Sequence, residues 1–337
     1  KSIDFMIKYL KDEINYWVIA ECKGISIKPS KIKIHENNFL KKIHKKDLEV
    51  EIDHWSLGST WHLGTPSIKI QIKQIKNKSA GESDDIFKSK HYRELQEAIY
   101  KVTCMLRLFK VGGVKTITIQ MFSDSPYVLG FGKNTSHDSL SPPAWAYIKK
   151  SEIAKLKIFF KVLYPHVPDD IYNFDSIKLT PVAISTKFYE EAIIKGDPIE
   201  KRISYAIMGL EALFLEDNME VSYKLRMRAS KFLGFLGMNL FRIKQEIKDG
   251  YDIRSKFAHG SPLSIESRKS LEQKYGTLEN LVHNLLNYLR LSIILNIFMK
   301  QSKKAFAKII DDSLIDSEKN YSLKKSLGKW KKYLFIE

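Results

Sequence analysis

Cysteine is nearly missing from this chain: Cys22 and Cys104 are the only two in 337 residues. They are far apart and neither has a histidine or cysteine at metal-ligand spacing, which excludes a disulfide framework and a structural zinc site. That scarcity predicts a reducing cytoplasm. Also lacking is a leader pattern, since "KSIDFMIKYLKDEINYW" carries charges every few positions and has no apolar segment or small-residue cleavage site. An uninterrupted apolar run is absent too. The most apolar stretch, 281–299, is broken by His283, Asn284, Asn287, Arg290 and Asn296, which a lipid-facing span tolerates poorly. It predicts a buried helix and no membrane partner.

What the chain has is apolar mass and positive charge. Apolar residues make up 44% and aromatics 12%, enough for a sizeable core in one large or two ordinary domains. The net charge of +17 is consistent with a polyanionic partner. Its distribution is diffuse: +8 over 1–177, +6 over 178–303 and +3 over 304–337. Much of the excess is lysine set among many Ile and Asn, and a spread of that kind serves solubility as readily as binding.

The first half alternates. "NYWVIAEC", "ISIKPSKIKIH", "DLEVEIDHW" and "PSIKIQIKQIK" place apolar residues at every second position, the mark of antiparallel strands with one buried face. A polar loop at 76–85 leads into "HYRELQEAIYKVTCMLRLFK", where Leu95, Ile99, Val102 and Leu106 fall at helical spacing. "GGVKTITIQMF" is a further strand, and the Pro- and Asp-rich segment 164–175 marks a passage between domains.

Beyond it the pattern is helical. Asp197 and Pro198 signal a start, a side-chain cap followed by proline in the first turn, for a helix to about Glu216. Further helices are expected from about Glu220 to Gly237, over about 239–258 with a stop at Gly260 and Pro262, and over about 277–301. The fold class is therefore α+β. A mainly antiparallel β domain with a helix spans 1–177, an all-α bundle of four or five helices spans 178–303, and a basic tail or docking helix spans 304–337.

Three apparent motifs fail. "GFGKNT" at 130–135 has neither the upstream glycine nor the Ser or Thr after lysine that a phosphate loop needs, and reads as a turn. "SHD" at 136–138 puts triad residue types side by side, whereas triads assemble from distant positions. His54 and His62 have no metal-ligand spacing, and no cofactor is indicated.

The segment 198–260 carries more. In "AIMGLEALFL" at 206–215, Glu211 is the one charged residue, and a buried carboxylate needs a cationic or hydrogen-bonding partner. Arg228 and Arg254 are both candidates. Lys224, Arg228 and Lys231 form a basic stripe at i, i+4 and i+7. In one unbroken helix Arg254 and His259 would point about 140° apart, so they could not share a phosphate. The stop at Gly260 relaxes this, because His259 then sits on the last turn or just outside it. On spacing alone, the pair reads as a solvated arginine and a histidine meeting the helix dipole.

"RSKFAHG" fits the Arg, four residues, His signature of the HEPN superfamily, and "YDIRSKFAHG" resembles its Apea-like branch. "AIMGLEALFLED" and "YKLRMRASKFLG" resemble that branch's first two core helices, with Glu211 and Arg228 at matching places. The likeness covers roughly 185–300. It implies a helical bundle that dimerises to join two Arg/His pairs in one cleft, and a metal-independent endoribonuclease serving as a toxin or in antiphage defence. His259 would move the proton of a ribose 2′-OH or of the leaving 5′ oxygen, and Arg254 would hold the scissile phosphate. Ser255 would position His259 or phosphate, Glu211 would orient an arginine, and Lys256, Lys224 and Lys231 would guide RNA. Partners would be RNA, a second copy of the chain, and a trigger or inhibitor read by the β-rich half. A catalytically silent adaptor of the same fold is the alternative.

Overall fold

Val18 to Cys22 are buried without a break, which is what the middle strand of a sheet requires when both faces are covered. The computed structural model describes residues 16–36, 38–42, 66–72, 84–123, 131–134, 145–172, 177–195, 197–217 and 219–336. By contacts the chain divides into two units, one of residues 1–106 and 112–161 and the other of 107–111 and 162–337. Sequence composition had drawn that line at 177. The segment 164–172 instead forms short turns, and within the second unit Asp170 accepts the backbone N–H of Thr180 at 2.6 Å.

The described strands of the first unit are β1 (Tyr16–Lys23), β2 (Ile25–Ile27), β3 (Lys31–His35), β4 (Asn38–Lys42), β5 (Pro66–Ile72), β6 (Lys115–Ser123), β7 (Phe131–Asn134) and β8 (Ala146–Ile148). An antiparallel sheet runs in the order β3-β4-β5-β1-β6-β7, and β2 pairs with β8 in parallel. Helix α1 (Asp84–Phe109) buries Leu95, Ile99, Val102 and Leu106, and α2 (Ile153–Leu163) follows β8. The strand expected at 47–55, His54, His62 and "SHD" lie outside the described residues.

"GFGKNT" is not a turn, because Phe131–Asn134 pairs antiparallel with β6, Gly132 opposite Gln120. Strand pairing uses backbone groups, so an open neighbouring edge outweighs the poor strand propensity of glycine.

The second unit is a bundle of α3 (Pro181–Ile194), α4 (Ile199–Phe214), α5 (Val221–Gly234), α6 (Leu240–Ala258), α7 (Ile265–Tyr275), α8 (Leu278–Met299), α9 (Lys303–Ile315) and α10 (Ser317–Lys331). The region 178–303 thus holds more helices than the four or five expected. The missed helix α7 buries no residue and so has no apolar stripe to read. It is held by the Ser264 cap and by Lys274 and Tyr275, which both donate to Asp249 at 2.5 Å.

The start of α4 also differs. Pro198 is the N-cap and makes no side-chain cap, while the Asp197 carboxylate takes Lys201 Nζ at 3.0 Å. The lysine four residues on donates to Oδ1 in a charge-assisted bond, and Oδ2 is buried without a hydrogen-bond partner among the described residues.

Helix α8 is long and apolar enough to cross a membrane by length and composition, and 83% of that window is buried inside the bundle. Arg290 in its middle is fully buried and donates to the carbonyls of Leu108, Phe109 and Phe335 and to Asn287 Oδ1. The tail is structural rather than frayed. Phe306 of α9 meets Phe214 and Phe232 at ring distances of 5.4 and 5.0 Å, and α10 buries Leu323 and Leu327.

Candidate functional site

Helix α6 approaches its neighbours closely because residue 250 is glycine. A Cβ there would lie 2.8 Å from Leu285 and 3.0 Å from Ile207. One turn later on α6 stands Arg254, and one turn after Ile207 on α4 stands Glu211, so the same close approach brings the two together. Arg254 Nη2 donates to Glu211 Oε2 at 3.2 Å, and the guanidinium lies 5.9 Å from the centre of the Tyr251 ring. Of the two arginines open to Glu211, this is the one that meets it.

These residues line a cavity of about 440 Å³ together with Lys303, the first residue of α9. Burial raises the Glu211 carboxyl above its ordinary value of 4.5, against the opposing pull of Arg254 and Lys303. Its other oxygen, Oε1, is buried and has no hydrogen-bond partner. Burial also lowers the Lys303 ammonium. Lys303 was not singled out from sequence. It is the last residue of the region assigned to the bundle, and the sequence around it carries no pattern that points back to a helix almost a hundred positions earlier.

The end of α6 is fixed by a left-handed glycine. Ser261 N–H reaches back to the Lys256 carbonyl at 2.9 Å and Gly260 N–H to that of Phe257 at 3.1 Å, with Gly260 at φ +71°. This pair of bonds satisfies the last carbonyls and stops the helix. His259 is the C-cap at φ −92°, ψ 12°, and it is exposed. Its ring makes no hydrogen bond to a described residue. His259 does not line the Arg254 cavity.

The remaining residues divide. Ser255 is half-buried, while Lys256 is exposed and lines a separate cavity of about 470 Å³ with Phe257 and Arg268. Arg228 is buried and does not meet Glu211. It donates to Glu216 at 2.5 and 3.0 Å, to Asp311 at 2.8 and 2.6 Å, and to the Phe214 carbonyl at 2.7 Å. Burial opposes its charge, but Asp311 and Glu216 outweigh that and hold it protonated. Lys224 is paired with Asp217 at 2.9 Å. Lys231 is half-buried 5.3 Å from the Phe235 ring, and burial lowers its ammonium. The stripe expected on α5 is therefore not a continuous solvated face, because its middle member is spent on holding α9 and the end of α4.

Among the described residues no group of three His, Cys, Asp or Glu is placed to hold a metal ion. Comparison of the chain with protein-family models, with curated proteins and with solved structures finds no match.

Proposed function

We propose that the chain is a metal-independent endoribonuclease of the HEPN type, working in the cytoplasm as a toxin or antiviral effector. The observation that carries this reading is the contrast at the end of α6. Arg254 is set in an open-sided cavity by Glu211, and His259 stands exposed as the last residue before the left-handed glycine that stops the helix. The sequence likeness in "YDIRSKFAHG" supplies the chemistry for that pair.

A histidine ionises near neutrality and can pass a proton in either direction. His259 removes the proton of a ribose 2′-OH, the 2′ oxygen bonds to phosphorus, the bond to the 5′ oxygen breaks, and that oxygen gains a proton. The products are a 2′,3′-cyclic phosphate and a 5′-OH end, and DNA is spared because it has no 2′-OH. Arg254 meets the growing phosphoryl charge with its planar fork. Arg254 lines its cavity and His259 does not, and a second copy of the chain completes the cleft. Ser255 lies between them in sequence and would help to place His259 or the phosphate, with Lys256 beside it guiding the strand.

The test is incubation of purified protein with single-stranded and structured RNA in EDTA, alongside His259→Ala and Arg254→Ala. Wild type is expected to leave cyclic phosphate ends, with both variants slower by about a hundredfold or more. Equal activity in all three overturns the reading. The engagement of Arg254 by Glu211, with His259 outside its cavity, favours a second reading as a catalytically silent RNA-binding or protein-interaction adaptor. RNA binding without cleavage by a protein that sediments as a dimer would select it.

A further inference from the structure

Helix α10 carries five lysines and one acid, Glu318. Lys319, Lys324, Lys325 and Lys329 are all exposed, and among the described residues none of them has an ion-pair partner. On α5, by contrast, Lys224 is paired and Arg228 is buried. The free positive charge of the second unit thus includes a cluster on the tail helix, away from the stripe on α5.

The spacing gives that charge a shape. Lys319, Ser322, Ser326 and Lys329 recur every three or four residues and share one flank, the two lysines about 15 Å apart along the axis. All four line a cavity of about 410 Å³. An aromatic wall closes it, where Trp330 stacks flat on Phe298 with ring centres 4.0 Å apart. Asp312 is the acidic group in the lining, and Tyr321 stands 65% exposed on the outer side of the same helix.

We propose that this flank of α10, with its cavity, is a seat for single-stranded nucleic acid. Lys319 and Lys329 meet two backbone phosphates separated by an intervening one, the two serine hydroxyls donate to the phosphate between them, and bases stack on the aromatic wall. The alternative of an anionic membrane surface is disfavoured by the packing of the helix. Its apolar residues Leu323 and Leu327 are already buried in the bundle, so no apolar face remains to enter lipid. The surface rests on the ribonuclease reading only for the choice of RNA over DNA.

The experiment uses the full chain with His259→Ala, so that the strand survives, and measures anisotropy of a labelled single-stranded RNA over a range of salt. A second protein adds Lys319→Gln, Lys324→Gln, Lys325→Gln and Lys329→Gln. These are exposed helical positions where glutamine is as good a helix former as lysine, and an unchanged thermal midpoint checks the fold. The second protein is expected to bind roughly tenfold or more weakly. Its slope of log affinity on log salt should be smaller by up to about 3, about 0.7 for each lysine that meets a phosphate. The same four changes in the chain that keeps His259 should leave cleavage of a dinucleotide unaltered. Equal affinity and slope in the two proteins overturn the surface, as does retention on phosphatidylserine vesicles without RNA binding. Failure of wild type to cleave RNA would instead remove the ribonuclease reading and leave this binding result standing.

Discussion

Glu211 and Glu216 lie five positions apart, yet their carboxyls depart from the ordinary value in opposite directions. Glu211 is raised by burial, with Arg254 and Lys303 pulling the other way. At Glu216 burial also works upward, but the Arg228 hydrogen bonds prevail and the group is lowered. The consequences for stability have opposite signs. Glu216 stabilises the fold above its unfolded value, and that contribution is lost as pH falls through its lowered folded value. Glu211 is protonated in both states at low pH, and the cost of charging it in the fold grows as pH rises from about 4.5 through the raised value. Glu211→Gln keeps the bond to Arg254 without that cost. The variant is therefore expected to gain stability relative to wild type as pH rises from about 4 toward neutrality. Chemical denaturation midpoints across that range check it, and a constant difference would contradict the burial argument. The need of Glu211 for a partner was legible in its apolar run, but the choice between Arg228 and Arg254 was not. Composition does not say which of two cationic helices is close, and that was decided by a missing side chain at Gly250.

At the scale of elements, helix ends were the most readable feature. The α6 stop at Gly260 and the extents of α4, α5 and α8 follow from apolar spacing and glycine chemistry, each within a few residues of its expected bounds. The start of α4 misled because Asp197 had two uses, and α7 was invisible because it buries no residue and so shows no apolar stripe. The approach of α6 to α4 and α8 at Gly250 was also unread, since a glycine inside a helix signals weakness by propensity and closeness only by context. Gly250→Val places branched carbons where Leu285 and Ile207 already stand. It is expected to cost about 1–3 kcal/mol and to separate Arg254 from Glu211. Denaturant unfolding gives the first quantity, and RNA cleavage at a temperature where the variant remains folded gives the second.

At the scale of the molecule, the tail beyond residue 303 is part of the second unit's interior. Sequence left it between a docking helix and a loose end because its aromatics and lysines do not by themselves show whether its apolar residues meet a core. Phe306, Ala307, Ile310, Leu323, Leu327 and Leu334 are buried, and Asp311 completes the clamp on Arg228. Phe306→Ala is expected to lower stability by about 3–5 kcal/mol, a loss that a merely attached tail would not produce. Thermal or denaturant unfolding of the full chain measures it. Arg290 extends the same point into time. Its acceptors lie up to 182 positions away at one side, and at the other in Phe335. Contacts so distant in sequence form slowly. Phe335 is the last of these acceptors to be synthesised, so the guanidinium meets its full set only late in translation. The second unit, and with it any site on α6, reaches its final form after nearly the whole described chain has been made.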